Sequence, residues 1–445
     1  MSKVLVVGFP PPPYQPNSKV EAAHYRTWQY IQPLLAAGHT VGLCVPHNSQ
    51  RPPPDVVPKN LRWYGIPYDR VGWPQILQAV HDRFDPTCVL GVDFYPSLYA
   101  TRLKTARPMW LDLYGDPLTI SQVARYRSGS DQGIGTAIAL MAQVLRRGDK
   151  FGACGIPQQQ ALVGELAMAG RLNARTFGHD LVEVIYPGAP PTPAETSDRD
   201  RATVRQTLGL GPEAFVALWC GGYNTWTDVA TLFKALERAM AQDPRVHYVS
   251  VGASTYQAPE TQYDRLVSLV AQSPQAARFH LLGWRRWQAV PGFYRMADIG
   301  VSIDALHYET ILGTRTRLVE MLAYGLPAIT SAGCELSYLL PAKGAGLKFA
   351  VGDWAQLAAL TLRLANQPQE LAALRVAGRR LVESDLSFAT TTTAFRAWLA
   401  APRVAPDRAK SHTLSMRQAV TYRLRTLIRL LLWRAGLSGR SQIEG

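Results

Sequence analysis

The sequence has little of what would mark a secreted, zinc-bound or membrane-spanning protein. Its five cysteines, Cys44, Cys88, Cys154, Cys220 and Cys334, are odd in number, far apart and never in a Cys-x-x-Cys pair. That argues against a disulfide framework and a zinc site and leaves reduced, buried thiols. No segment reaches the run of about 18–20 apolar residues that a membrane-crossing helix needs, so integral insertion is not expected. The opening Met1-Ser2-Lys3 leads into only Val4 to Val7 and then into Pro10 to Pro13, too short an apolar stretch for a secretory signal, so export is not expected either. Charged residues make up 18% and apolar ones 47%, too little charge and too much core material for a disordered chain. Acidic residues are outnumbered 33 to 47 by lysine and arginine, giving +14. No recognisable nucleic-acid module accompanies that excess. Half of it lies after residue 402, where nine basic residues face only Asp407 and Glu444, so nucleic acid is not an expected partner.

What is present is a chain of 445 residues, enough for roughly two or three compact units. Apolar runs recur with helical stretches between them: Val4 to Val7, Thr40 to Cys44, Cys88 to Leu90, Met109 to Leu113 and Val182 to Tyr186. Unalternating apolar strands between helices predict a parallel sheet covered on both faces. The stretch from Pro187 to Asp200 contains four prolines and no periodicity, and reads as a linker. The alternation then restarts with Phe215 to Trp219, Val246 to Val251, Phe279 to Leu282, Ile299 to Ile303 and Ala328 to Thr330. The expected architecture is α/β, with two doubly wound, Rossmann-like domains facing each other across a cleft. Their bounds are 1–187 and 201–400, joined by a linker at 188–200 and followed by a basic tail at 401–445. Residues 355–400 read as helices closing the second domain. In such sheets ligands bind beyond the carboxyl ends of the strands, so functional residues should lie just after strands.

The stretch from His307 to Thr330 is the most informative. It reads as a polar loop, then a helix from about Thr314 to Tyr324 that Gly325 and Pro327 terminate before another strand. The free amides of the first turn, with Arg315 or Arg317 beside them, suit a diphosphate. Glu320 can accept hydrogen bonds from vicinal hydroxyls such as those of a ribose. The alternative is a surface helix with an ordinary Arg and Glu pair. The arrangement Glu-x-x-x-Gly-x-Arg-x-Arg-x-x-Glu-x-x-x-x-Gly-Leu-Pro, with Gly283 and Tyr294-x-x-Ala297-Asp298 upstream, resembles the donor half of retaining GT-B glycosyltransferases, particularly family 4 and a divergent bacterial branch of it. The resemblance covers most of residues 1–400 and is strongest from Gly221 to Leu340. It implies that Glu320 holds a nucleotide's ribose. Leu312 stands where the family has a first Glu, and Glu309 is the expected replacement.

The resemblance also places Gly221-Gly222-Tyr223-Asn224 at the phosphate-side loop of the second domain, where glycines allow close backbone approach. The usual basic pair is missing there, and Trp226 and Asp228 stand in its stead, which shifts the phosphate charge onto Arg315 and Arg317. Donor contacts are expected from Gly221, Gly222, Asn224, Thr314, Thr316, Arg317 and Glu320. Arg315, as the residue nearest the free amides, is expected to act catalytically with Glu309 and Asp116. On the acceptor side the expected residues are Tyr14, Asn17, His24 and Asp112. Asp112 or Asp116 would orient a sugar hydroxyl or the nucleophile, unless Asp116 simply caps the next helix. Asp198-Arg199-Asp200 has the form of a metal-binding Asp-x-Asp but lies in the linker beside arginines, and no metal or cofactor is expected.

The implied function is a hexosyltransferase-like enzyme moving a sugar from a nucleotide-sugar to a glycan, lipid-linked or small-molecule acceptor in cell-surface polysaccharide or glycoconjugate synthesis. Retention of configuration is expected. A non-catalytic GT-B-like sugar-nucleotide-binding or scaffold protein is the alternative, motivated by Leu312 and the missing basic pair. The expected location is cytoplasmic. A helix at residues 413–437, with Leu427, Ile428, Leu430, Leu431, Leu432 and Trp433 among its arginines, could hold the enzyme at the inner membrane surface or pack on protein.

Overall fold

The computed structural model describes residues 1–14, 20–46, 54, 56–190 and 198–408. Asn17 and the amphipathic stretch 413–437 lie outside the described residues. The first sheet contains β1 (Lys3–Val7), β2 (Thr40–Pro46), β3 (Leu61–Ile66), β4 (Cys88–Val92), β5 (Met109–Asp112), β6 (Lys150–Ala153) and β7 (Val182–Val184). The second contains β8 (Phe215–Cys220), β9 (Val246–Val251), β10 (Phe279–Leu281), β11 (Ile299–Ser302), β12 (Ala328–Ser331) and β13 (Gly346–Phe349). The orders are β3-β2-β1-β4-β5-β6-β7 and β10-β9-β8-β11-β12-β13, and these pairings are parallel. Both are doubly wound sheets, as the apolar runs predict. The ten expected strands are all present, and β3, β6 and β13 are additional.

The unalternating apolar runs are explained by where successive side chains go. Leu5 and Val7 enter a cluster with Phe84, Val89 and Leu111, whereas Val4 and Val6 enter another with Tyr30, Leu34 and Trp110. The second sheet divides in the same way, with Phe215, Ala217 and Trp219 on one face and Val216, Leu218 and Cys220 on the other. A strand whose two faces are both covered gains from an apolar residue at every position. The strand order reverses between β1 and β4 and again between β8 and β11, and each reversal opens a crevice at the strands' carboxyl ends.

One expectation is corrected by packing. Helices Trp354–Asn366 and Pro368–Ser384 do close the second domain, through Leu357, Leu364, Leu381 and Val382. Helix Thr393–Ala400 instead returns to the first sheet, where Phe395 and Leu399 are buried with Val4, Tyr30 and Trp110. Phe395 and Trp398 stack edge-on against Trp110, with centroids 5.2 and 5.4 Å away. Beyond it, Asp407 forms a bidentate pair with buried Arg171 at 2.8 and 2.9 Å, and Arg408 bonds Asp149 at 2.8 Å. Phe395 and Trp398, three apart on one helical face, pack into the first domain's core, so the chain crosses back near residue 387.

Candidate active site

Loops after β4, β5, β8, β9, β10 and β11 converge on a cavity of about 490 Å³ between the two domains, within the size range of small-molecule sites. The second domain's wall is built around the end of β8. Gly221 has φ +122°, and Gly252, at the end of β9, has φ +125°. A Cβ on Gly252 would lie 2.0 Å from the Gly221 carbonyl oxygen, so only glycine lets these two strand ends approach each other. Trp219, fully buried, donates its indole N–H to the Gly221 carbonyl at 3.0 Å and presents its ring to Arg317, whose guanidinium lies 3.8 Å from the centroid.

The helix expected from about Thr314 runs from Thr316 to Ala323, and its N-cap residue, Arg315, offers no side-chain cap. Its first amides therefore add a positive potential to the cavity. Arg315 and Arg317 both line the cavity but differ in what they bond. Arg315 is consumed by structure: Nε donates to Asp304 at 2.6 Å, and Nη1 and Nη2 donate to Glu309 at 3.2 and 2.9 Å. Burial disfavours its charge, but the two carboxylates outweigh that and hold it firmly protonated. Glu309 is thereby corrected from a free sugar-binding carboxylate to one half of a buried pair, its carboxyl pushed up by burial against the pull of Arg315. Arg317 donates to the Gly222 carbonyl at 3.0 Å, while its Nη1 has no partner among the described residues. Burial lowers its pKa, which Asp304 only partly offsets. A half-buried cation with an unsatisfied donor, beside a glycine loop and uncapped amides, suits an anion.

Glu320 lines the same cavity one turn further on. It accepts from Tyr294 at 3.1 Å and also bonds Tyr25 of the first domain, which in turn accepts from Trp287 at 2.7 Å. Burial raises its pKa, against both tyrosine bonds. Gly221, Gly222, Asn224, Thr314 and Thr316 line the cavity, and Thr316 is in hydrogen-bond contact with the Tyr114 hydroxyl across the cleft. Asp228 instead caps helix Val229–Gln242.

The first domain's wall departs most from the sequence reading. Asp112 is fully buried in a bidentate pair with Arg26, at 2.9 and 2.7 Å, and accepts from Tyr30 at 2.7 Å, so it cannot serve an acceptor. Asp116 caps helix Pro117–Ser128, accepting from the Thr119 N–H at 2.7 Å, and does not line the cavity. Its other neighbour is Glu165, whose carboxyl burial and the Asp116 charge push up to about 8. His24 closes a capping box, its ring Nδ1 accepting from the Glu21 N–H at 3.0 Å. Tyr14 packs half-buried on the β1 face. The residues that do face the cleft from this side are Glu21, Tyr25, Asp93, Tyr114, Ile120 and Arg127. Asp93 is not among the residues expected from the sequence, although it directly follows β4.

Residues 214–367 match the family model described as glycosyl transferases group 1. The chain has the GT-B fold, and its second domain carries a region similar to group 1 glycosyl transferases. Its fold resembles that of sucrose-phosphate synthase from Thermosynechococcus elongatus, with 18% identity over 90% of this chain and 100% of that one at a TM-score of 0.67. HepE of Anabaena, in a complex with UDP-glucose, is similar at 17% identity and a TM-score of 0.63 over 90% and 100% of the two chains. WaaG, described as a glycosyltransferase of lipopolysaccharide biosynthesis, aligns at 13% identity and 0.62 over the same shares. No curated protein matches. Among the described residues of the enzyme no helix is long and apolar enough to cross a membrane, and no three His, Cys, Asp or Glu side chains group to hold a metal ion.

Proposed function

We propose that the enzyme transfers a hexose from a nucleoside-diphosphate donor, with uridine diphosphate the first to test, to a hydroxyl of a glycan, lipid-linked or small-molecule acceptor. The observation that carries this reading is Arg317: a half-buried guanidinium held over Trp219, one donor unsatisfied, beside the Gly221–Gly222 loop and in the uncapped first turn of its own helix. Such a group stabilises charge that develops on a departing diphosphate. Glu320 then holds the ribose, whose hydroxyls would exchange with the Tyr25 donor. Complexes of similar folds with UDP-glucose and with UDP-2-fluoro glucose support the choice of donor.

Asp304 and Glu309 are both tied to Arg315, and Glu320 is the carboxylate assigned to the ribose, so among the described residues the donor wall offers no carboxylate for a covalent sugar intermediate. Same-face attack with retention, without a bound metal, fits that arrangement. The cytoplasmic face of a membrane, reached through residues 413–437, and a role in cell-surface glycoconjugate synthesis complete the reading. Calorimetric titration with a panel of nucleoside diphosphates, followed by a nucleotide-sugar hydrolysis screen, tests it. Tightest binding by a ribonucleoside diphosphate is expected, and binding of none would overturn it.

A further inference from the structure

Asp93 belongs to no part of the donor site, yet it opens into the same cavity from the opposite wall. It follows β4 at φ +77° and ψ 163°. That backbone region is essentially reserved for glycine and costs another residue about 1–3 kcal/mol. Capping does not account for the strain. Asp116, Thr261 and Ser387 cap their helices from ordinary extended backbone, at φ −81°, −106° and −71°, and accept from the amide three residues on. Asp93 instead accepts from its immediate neighbour, the Phe94 N–H, at 2.5 Å. No ion pair neutralises it among the described residues. Arg26, the nearby cation, directs its Nε and Nη2 to Asp112 and its Nη1 to Gln29 and the Tyr186 carbonyl.

We propose that Asp93 is the acceptor-side catalytic carboxylate, accepting a hydrogen bond from the attacking hydroxyl and taking its proton. The inference rests on the nucleotide-sugar reading above. In the step it assists, the acceptor O–H bond breaks as that oxygen bonds the anomeric carbon. The bond from that carbon to the diphosphate oxygen breaks, its electron pair leaves with the diphosphate beside Arg317, and the proton on Asp93 passes to solvent after product release. Burial pushes the Asp93 carboxyl up to about 7, reinforced by Asp112 and Glu21 and opposed by the Phe94 N–H and Arg26. A base so placed is half-ionised near neutrality, where proton transfer is most effective.

Two substitutions separate chemistry from architecture. Asp93→Gly relieves the backbone strain and removes the carboxylate, whereas Asp93→Asn keeps a capping oxygen. The measurements are UDP-glucose hydrolysis with water as the attacking group from pH 5 to 9, UDP affinity by calorimetry, and thermal melting. Both variants should lose about 100-fold in hydrolysis and the acid limb of its pH profile near 7, while UDP affinity stays unchanged and Asp93→Gly melts no lower than wild type. Wild-type hydrolysis by either variant overturns the inference alone. If the unaltered enzyme neither binds UDP nor hydrolyses UDP-glucose, the donor reading falls first and the inference with it.

Discussion

The two walls of the cleft are built alike and differ in the sign of what they leave over. Each buries an arginine against carboxylates: Arg26 with Asp112 in the first domain, and Arg315 with Asp304 and Glu309 in the second. Among the groups lining the cavity, the carboxylate Asp93 on one side and the guanidinium Arg317 on the other have no ion-pair partner among the described residues. The paired groups hold the loops in place, and the leftover groups face the ligand. A carboxylate facing a guanidinium across the cleft suits a reaction that releases both a proton and a diphosphate.

The sharpest way to break this comparison is to exchange the roles of the two arginines in the second wall. Arg315→Ala strands Asp304 and Glu309 as buried, uncompensated carboxylates, and removing one partner of such a group costs about 3–5 kcal/mol. A large fall in the denaturant midpoint is the expected result, and an unchanged midpoint would show that the pair is not structural. Arg317→Ala should spare the melting temperature but lower nucleotide-sugar turnover by about 100- to 1,000-fold, the usual loss when one charge-stabilising donor is removed. If Arg317→Ala turned over normally while a folded Arg315→Ala did not, the division between the two would be the reverse.

A smaller effect sharpens the link between the walls. Glu320→Ala should weaken binding of a ribonucleoside diphosphate by about 10-fold, since a hydrogen-bonded carboxylate is worth about 1.5–3 kcal/mol and part of that is now met by Tyr25. The 2′-deoxy analogue should bind wild type and variant alike. Equal weakening of both nucleotides would point to a general loosening at Tyr25 rather than to a lost ribose contact.

How much of this was legible in the sequence follows the same division. Covered strands announce themselves by apolar runs, so the two sheets and the cleft between them could be read directly. The strands passed over are the ones whose pattern is masked. β3 and β13 are sheet edges carrying Gly65 and Lys348, and β6 opens on Lys150, whose charge is met by Asp180 and Glu183. Motif spacing located the helix at 316, the glycine loop and Glu320. It could not tell a paired charge from a free one, because pairing depends on where a loop folds back. Asp304 reaches Arg315 from eleven residues away, and Arg26 reaches Asp112 across 86. Of the residues expected in the site, Arg315, Glu309 and Asp112 are the paired ones, and Asp116 is a helix cap. Asp93 carried a usable signal in its place after a buried strand, but its backbone strain has no counterpart in residue type.

The least of the expected effects lies behind the first wall, where Glu165 meets the helix-capping Asp116. Its carboxyl is raised in the folded protein to about 8, from the ordinary 4.5, by burial first and then by the Asp116 charge and hydrogen bond. A raised acid keeps its proton in the folded state while the unfolded chain releases it near the ordinary value. Its contribution is therefore present at pH 4.5 and is lost progressively as pH climbs to 8. Glu165→Gln supplies an uncharged N–H donor to Asp116 at every pH and should remove that slope. Wild type and variant should melt together at pH 5, and the variant should melt higher by about 2–4 °C at pH 8.5, the shift that about 1 kcal/mol produces in a domain of this size. Melting curves at the two pH values decide it. Parallel behaviour would mean that the two carboxyls do not share a proton and that Asp116 is held by the Thr119 amide alone.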